Sequence, residues 1–479
     1  MTLQAPSPAL AVVIGGGISG LACAYGLREA GIPVLLLEKS QRLGGTIDSV
    51  EQDGFLFELG PQSFLSTETL LKVIAGVGLG SELLRADPRA PRFILRGGRL
   101  EPVPMAPPAL LSTDLLSLGT KWRLLSEPLR RTQPPSEDES VADFVRRKFG
   151  AELLELLVAP FVSGVYAGDP EKLSLRSAFP SVHKWEEQYG SVIRGAMKSR
   201  PGKGKPRATL CTFGKGMVSL PRALGERLGD AVRCSVSITS IRHGKAEGKS
   251  EFELTVSHHG HEERLTAGAV IVATETQAAG RLLAGISPDF ASHLARIDYA
   301  PVAVVATGYR REQVSHPVNG FGFLVPRTQK LRILGTVWTS SLFPGHAPEG
   351  LVSFTSFAGG ATDPELLRLN DAEIVEVVAR ELDGVLRITG APASWRVQRY
   401  ERAMPQYNLG HGRTLAALRA LTANFPGLFL TGNYLEGPAI GVCVEQALRT
   451  AQVVRQYVEA RGEAAARQQS KPLALPSAG

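Results

Sequence analysis

Short apolar runs and longer amphipathic stretches alternate along this chain. Residues 11–14 (AVVI) are apolar without interruption and break into Gly15-Gly16-Gly17. A run this short, closed by glycine, predicts a buried parallel strand ending in a turn. Residues 18–30 are rich in Ala and Leu and stop at Gly31, which predicts a helix. Residues 34–37 (VLLL) predict a second strand, so the chain opens as a right-handed strand-helix-strand crossover with parallel strands.

Further along, residues 96–99 (RGGR) predict a hairpin turn, and proline-rich loops follow at 102–108. Residues 109–178 read as mostly helical, broken by a polar linker at 130–140 (RRTQPPSEDES). Residues 184–207 are basic and contain Gly and Pro, which predicts a mobile loop. Strand-like alternation covers 232–256, and 269–273 (AVIVA) predicts another buried strand. Runs at 301–309, 321–325, 334–338 and 351–357 predict an antiparallel sheet. A helix at 371–384, a strand at 428–431 and a helix at 440–460 complete the pattern, with a polar, Pro-containing tail at 462–479 predicted to be disordered. Nucleotide-type elements thus lie at both ends. That arrangement predicts one domain assembled from separate segments, with insertions.

Composition narrows the class. At about 150 residues per domain, 479 residues suit three domains, or two with insertions. Hydrophobic residues at 43% and charged residues at 21% allow a large core and exclude a disordered chain. Cys23, Cys211, Cys234 and Cys443 show no C-x-x-C spacing, so neither a zinc site nor a dithiol is predicted. A net charge of +7 admits acidic small molecules or anionic lipid. Nucleic acid is not expected, because no basic run is interleaved with aromatics. Residues 1–10 show no signal-peptide pattern and no run of 18 apolar residues exists, so a cytoplasmic chain without a transmembrane helix is expected.

Gly15, Gly17 and Gly20 satisfy G-x-G-x-x-G, with Ile18 and Ser19 between the last two. The context gives the motif weight: a strand precedes it, a helix follows, and Glu38 ends the second strand. Gly15 permits the tight turn, Gly17 lets a pyrophosphate approach, and Gly20 lets helix and strand pack closely. The helix N-terminus favours phosphate, and Glu38 can accept both ribose hydroxyls. An acid here disfavours a 2′-phosphate, which leaves FAD or NAD. Arg42-Leu43-Gly44-Gly45 follows closely and places an arginine and two glycines near the same phosphates.

Together, residues 15–20, Glu38 and 42–45 resemble the two-part FAD signature of the flavin amine oxidase superfamily. Further stretches resemble its protoporphyrinogen and coproporphyrinogen III oxidases: 59–64 (LGPQSF), 167–170 (AGDP), 320–326 (GFGFLVP), 343–344 (FP), 357–360 (FAGG), 405–407 (PQY), 432–434 (GNY) and 441–445 (GVCVE). The resemblance runs in order from about residue 11 to 458. It implies an α/β chain with a discontinuous Rossmann-like FAD-binding domain, a mixed-sheet substrate domain and an inserted helical membrane-associating domain. The limits it suggests are 1–85, 208–285 and 401–461 for FAD, 86–100 and 286–400 for substrate, and 101–207 for the helical region.

The resemblance also implies roles. FAD is held non-covalently, with Lys39, Gly60, Pro61, Val236, Gly432, Asn433, Ile440, Gly441 and Val442 joining the motif residues around it. A helix opening at Ile440 to Val442 would stabilise negative charge on the reduced ring. The substrate is a porphyrinogen and the oxidant is molecular oxygen. Arg92 would pair with a propionate, since a guanidinium fork suits a carboxylate. Leu324, Val337 and Phe357 would sandwich the macrocycle, with Gly168 at its edge; as strand residues alone, these three side chains read as core. Gln62 stands where many plant-type relatives carry Asn, and the longer amide can still reach the substrate edge. No residue is assigned as a catalytic acid or base.

The leading reading is oxidation of protoporphyrinogen IX to protoporphyrin IX, with coproporphyrinogen III as the alternative substrate. A flavin amine oxidase is a second reading, weakened because the strand-like run at 300–305 (APVAVV) has no lysine. A flavin-binding scaffold without chemistry is a third. Leu110, Leu111, Leu115, Leu116 and Leu118 have spacing for an amphipathic helix on lipid, which would place the chain peripherally on the inner face of the cell membrane. His258, His259 and His261 read as a solvated hairpin. The oligomeric state is open, a homodimer included.

Overall fold

Uninterrupted apolar strands need cover on both faces, and the 11–14 run has it. In the computed structural model, which describes residues 10–104, 109, 112–199, 208–246 and 249–469, this run is the strand Ala11–Ile14. It is the middle member of a five-stranded sheet ordered Val232–Arg233, Val34–Leu37, Ala11–Ile14, Ala269–Val272, Leu428–Leu430. Every pair in this sheet is parallel. Ala11, Val13, Leu36 and Ile271 face the helices Ile18–Glu29, Ser219–Leu228 and Ile440–Gln469. Val12, Leu35, Val270 and Val272 face a three-stranded meander, Val236–Ala246, Lys249–His258 and His261–Ala267, together with the helix Pro288–Leu294.

The second large sheet has seven strands, in the order Ser394–Pro405, Tyr299–Arg310, Leu351–Gly359, Ile333–Val337, Gly322–Leu324, Arg92–Arg96, Arg99–Pro102. One face packs on the helix Asp371–Leu386 through Ile374, Val378, Leu382 and Leu386. Its other face carries Val302, Val304 and Phe357. The sheet is mixed: Gly322–Leu324 runs parallel to Arg92–Arg96, and the other ladders are antiparallel. Gly97 (φ 55°) and Gly98 (φ 74°) turn the 96–99 hairpin, where two successive positive φ angles require glycine.

Between these sheets in sequence lie the helices Leu118–Ser126, Val141–Lys148, Ala159–Tyr166, Pro180–Tyr189 and Val192–Lys198. Their core joins Leu115, Phe144, Val162 and Tyr166. A buried charge network also ties them: Lys148 Nζ lies 3.3 Å from Glu127 Oε1 and 3.1 Å from Glu186 Oε1.

Several sequence expectations are corrected. Leu115 and Leu116 are buried, because residues 113–117 form a turn into the core and Ser117 caps a helix that only begins at Leu118. Leu110 and Leu111 lie outside the described residues. The expected mobile stretch at 184–207 is helical through Lys198, and residues 200–207 lie outside the described residues. Gly190 (φ 64°) closes one helix and Ser191 caps the next. The C-terminal helix continues to Gln469, not 460, since Ala, Glu, Arg and Gln after Gly462 are strong helix formers. The strand Ser394–Pro405 runs through the expected limit at 400, and the helix Pro288–Leu294 packs with the parallel sheet despite following 286.

Candidate active site

The first half of the site gathers at the carboxyl ends of the parallel strands, where open α/β sheets bind ligands. Gly15 has φ 107° and donates its N–H to Leu37 O at 2.8 Å. A Cβ on Gly20 would stand 1.9 Å from Gly15 O, so only glycine lets the helix seat under the loop. Gly17 opens the helix and faces open space, with nothing within 4 Å of where its Cβ would be. Ile18, Ser19 and Gly20 follow with no acidic residue in the first turn. The unpaired amides and positive end of the helix are therefore available to a pyrophosphate.

Glu38 lies beside this loop. Its Oε2 accepts from Gly16 N at 2.5 Å and its Oε1 from Ser40 N at 2.7 Å. A carboxylate has about four lone-pair sites, so two remain for ribose hydroxyls. Lys39 is exposed, and Val236, 4% exposed, donates its N–H to Glu38 O at 2.9 Å. The two halves of the glycine signature meet backbone to backbone: Gly44 N donates to Gly16 O at 2.8 Å, and a Cβ on Gly45 would lie 3.3 Å from Gly17 Cα. Arg42 is turned onto its own loop. It donates to Gly45 O at 2.8 Å and Ile47 O at 3.2 Å, and pairs with Asp48 at 3.4 Å. It therefore braces the turn that Gly44 (φ 110°) and Gly45 (φ 60°) make.

Two further loops close around this edge. A Cβ on Gly60 would stand 1.9 Å from Thr46 O, so the stretch before Pro61 passes directly over the 42–46 loop. Gln62 Nε2 donates to Glu58 O at 3.2 Å and Gly60 O at 3.1 Å, so its amide NH2 holds its own turn. Its Oε1 is buried and has no partner among the described residues. Gly432 and Asn433 follow the last parallel strand, and Gln446 Oε1 accepts from both Thr431 Oγ1 (2.6 Å) and Gly432 N (3.3 Å). Ile440 begins the long helix, and Gly441 lies against Thr67. Val442 is half-buried and again no acid occupies the first turn.

The second half of the site is a sheet face. Arg92, Gly322 and Val337 occupy one cross-strand row; Leu324, Gly335 and Phe357 occupy the next row on the same face. Rows two residues apart lie about 7 Å from one another. Leu324, Val337 and Phe357 are half-buried, whereas Phe323, Thr336 and Ala358 beside them are buried. Gly322 and Gly335 keep the face low between them: a Cβ there would strike Thr336 O at 2.0 Å and Phe323 O at 2.7 Å. The Arg92 guanidinium lies 5.0 Å over the Phe321 ring, and partial burial lowers its pKa without discharging it. Gly168 is buried against Gln406, and Arg327 Nη2 donates to its carbonyl at 3.3 Å.

Sequence reading missed Phe161 and Val165. They share a helix face with Gly164, whose Cβ would lie 2.5 Å from Leu324 Cδ2, so this exposed apolar face turns toward the sheet row. The 161/164/165 spacing was the available signal. It also missed Tyr400, whose hydroxyl donates to Thr46 O at 3.3 Å and joins the sheet face to the 42–46 loop. His258, His259 and His261 are exposed in a hairpin, and among the described residues no His, Cys, Asp and Glu cluster could hold a metal. No described helix is long and apolar enough to cross a membrane.

Comparison with known proteins adds an independent finding. Residues 18–455 match the model of the flavin containing amine oxidoreductases. The chain is 37% identical to chloroplastic protoporphyrinogen oxidase 1 of Arabidopsis thaliana, over 93% of this chain and 88% of that one. It is 32% identical to coproporphyrinogen III oxidase of Bacillus subtilis (strain 168), over 91% and 95%. The solved structure of a protein provisionally described as a protoporphyrinogen oxidase, from Exiguobacterium sp. 255-15, superposes with a TM-score of 0.78 at 25% identity, covering 94% of this chain and 99% of that one. A two-part glycine cradle at the strand ends, a sheet face turned toward it and this likeness over nearly the whole length lead to one conclusion: the chain belongs to the flavin containing amine oxidoreductase family, in the branch that holds the protoporphyrinogen and coproporphyrinogen III oxidases.

Proposed function

We propose that this chain is an oxygen-dependent oxidase that converts protoporphyrinogen IX to protoporphyrin IX. The observation that carries the reading is the sheet face with the half-buried apolar side chains Leu324, Val337 and Phe357 on two adjacent rows, and the Arg92 cation on the row of Val337. A porphyrinogen is a broad apolar ring with carboxylate arms, and such a surface complements both parts. FAD, when bound, supplies the hydride-accepting chemistry and the path to oxygen. Gly15, Gly17, Gly20, Gly44 and Gly45 give its pyrophosphate a backbone cradle, Glu38 holds its ribose, and the helix N-terminus at Ile440 to Val442 offers positive charge to its ring. Leu324, Val337 and Phe357 orient the macrocycle, with Phe161 and Val165 covering it from the other side and excluding water. Arg92 binds a propionate.

Coproporphyrinogen III is the second reading, and Arg327 favours it. That substrate carries two propionates in place of vinyl groups, which call for further cations. Arg327 stands beside Gly168, although Asp169 already lies 3.4 Å from it. An amine substrate is disfavoured because the strand Tyr299–Arg310 brings Val302 and Val304, and no lysine, to the sheet face. The chain docks peripherally on a membrane through Leu118, Trp122 and Leu125, which are exposed on one face of their helix, with exposed Arg123, Arg130 and Arg131 nearby in sequence.

Anaerobic mixing of the FAD-loaded protein with protoporphyrinogen IX, coproporphyrinogen III and a panel of amines tests the reading. Protoporphyrinogen IX is expected to bleach the flavin fastest. Arg92→Ala should slow that bleaching through substrate binding worth about 2–5 kcal/mol, and Arg92→Lys should recover only part of it. Bleaching by amines alone would overturn the proposal.

A further inference from the structure

The turn at Thr431–Tyr434 is held from two sides. Gln446, on the long helix, accepts from Thr431 and Gly432. From the opposite side come Tyr407 and His411, residues to which sequence reading gave no role. Tyr407 is 1% exposed and donates its hydroxyl to Asn433 O. His411 is 6% exposed, and its Nε2 lies 3.0 Å from Tyr434 O. A carbonyl only accepts, so Nε2 carries the proton in this pair. The two rings stand 4.7 Å apart, centroid to centroid.

The segment that bears these two side chains is itself fixed at several points. Ser174 N donates to Tyr407 O at 2.8 Å, and Gly410 N donates to Asp138 Oδ2 at 2.9 Å. Gln406 Nε2 donates to Tyr166 O at 2.8 Å, and Gln406 N to Asp298 O at 2.8 Å. Tyr407 and His411 therefore do not float with the turn; they connect it to the helical region and to the end of the seven-stranded sheet. The Asn433 side chain is half-buried and makes no hydrogen bond to another described residue. The backbone around it is tied while its amide is left available.

We propose that Tyr407 and His411 are positioning residues: by holding the successive carbonyls of Asn433 and Tyr434 they set the pose in which Asn433 is presented to FAD. The proposal rests on the reading above that the 432–433 turn contacts FAD. The two residues act on the cofactor through the turn and touch no substrate. Burial raises the Tyr407 pKa, which keeps its hydroxyl protonated, and lowers that of His411 to about 4, which keeps the ring neutral with its one proton on the Nε2 that faces Tyr434 O. Both bonds are thus present across the neutral range.

The test is FAD titration of the apoprotein, followed by flavin fluorescence quenching, with the visible spectrum of the bound flavin and the melting of the apoprotein recorded beside it. Tyr407→Phe keeps the ring and removes the donor. His411→Leu removes the donor, and His411→Gln restores an N–H near the Nε2 position. Tyr407→Phe and His411→Leu are each expected to weaken FAD binding about fivefold and to shift the flavin spectrum, with His411→Gln returning close to the parent. A role confined to general stability would lower apoprotein melting and leave FAD affinity and the flavin spectrum unchanged, which would overturn the proposal. Asn433→Ala separates the two levels. If it weakens FAD while Tyr407→Phe and His411→Leu do not, the positioning role fails alone. If Asn433→Ala also binds FAD like the parent, contact between the turn and FAD fails, and the positioning role with it. Should His411→Leu not fold, Tyr407→Phe decides the matter, because its ring volume is unchanged.

Discussion

Glu58 has no accessible surface, yet it carries an ionisable group. Its Oε2 accepts from Ser49 Oγ at 2.6 Å and its Oε1 from Met217 N at 2.9 Å. Ser49 Oγ in turn accepts from Val218 N at 3.1 Å, so one carboxyl joins the Ser49–Gln52 and Phe55–Glu58 hairpin to the 214–218 loop. Burial outweighs these bonds and pushes the Glu58 pKa up to about 7, from an ordinary 4.5. The folded chain therefore holds a proton that the unfolded chain releases. This contribution to stability is fully present below about pH 4.5 and is lost as pH rises through about 7. Glu58→Gln should raise the unfolding free energy at pH 8 by about 2 kcal/mol and change little at pH 4.5, as read from urea unfolding. Equal midpoints at pH 8 would contradict a raised Glu58 pKa. Nothing in the sequence marks this residue, because the burial that shifts it depends on packing with a loop 159 residues away. The glycine signature is legible for the opposite reason: each of its constraints acts on backbone within a few residues.

At the scale of elements, the helix Leu118–Ser126 presents Leu118, Trp122 and Leu125 at 83%, 70% and 53% exposure, spaced as one helical face. An exposed apolar stripe on a surface helix marks an interaction site. Changing these three residues to Ser should reduce co-sedimentation with anionic liposomes and leave folding intact. Changing Leu115 and Leu116 to Ser should instead destabilise the chain, since their removal opens a buried core at about 2–5 kcal/mol each. Liposome binding that survives the triple change would move docking to another face. The leucine spacing was visible in the sequence. Which leucines turn outward depends on where the helix starts, and the Ser117 cap sets that point.

At the scale of the whole molecule, separate stretches of chain meet at the strand ends proposed to hold FAD. The strands ending at Ile14, Leu37 and Leu430 bring their loops to one edge, although they are far apart in sequence. A ligand held by all of them favours only the folded chain, so its loss should be felt globally. Removing FAD should lower the melting temperature, and adding it back at a hundredfold excess over Kd should restore about 2.7 kcal/mol. The protein should be yellow, and denaturation with filtration should release the colour. Cys23 and Cys443 are buried, and Cys443 Sγ donates to Gly437 O at 3.4 Å, which leaves neither poised to attach a flavin. Colour retained on the precipitated chain would contradict non-covalent binding.

The sequence by itself determined the local half of this protein. Gly15, Gly17, Gly20 and Glu38 announce a dinucleotide turn because the turn is made of consecutive backbone and one nearby strand end. Apolar runs such as 11–14 and 269–273 announce strands covered on both faces because no polar residue interrupts them. The tertiary structure decided the rest. Arg92, Val337 and Gly322 share a row only through strand pairing across 245 residues, and no periodicity encodes that register. Leu324, Val337 and Phe357 read as core in the sequence because an apolar strand residue looks the same beside a core and beside a cavity. Their partial exposure exists only once the Ala159–Tyr166 helix, with Gly164 against Leu324, has been placed opposite them. Local backbone geometry is a property of neighbouring residues. A shared face is a property of packing, and distant segments acquire it together.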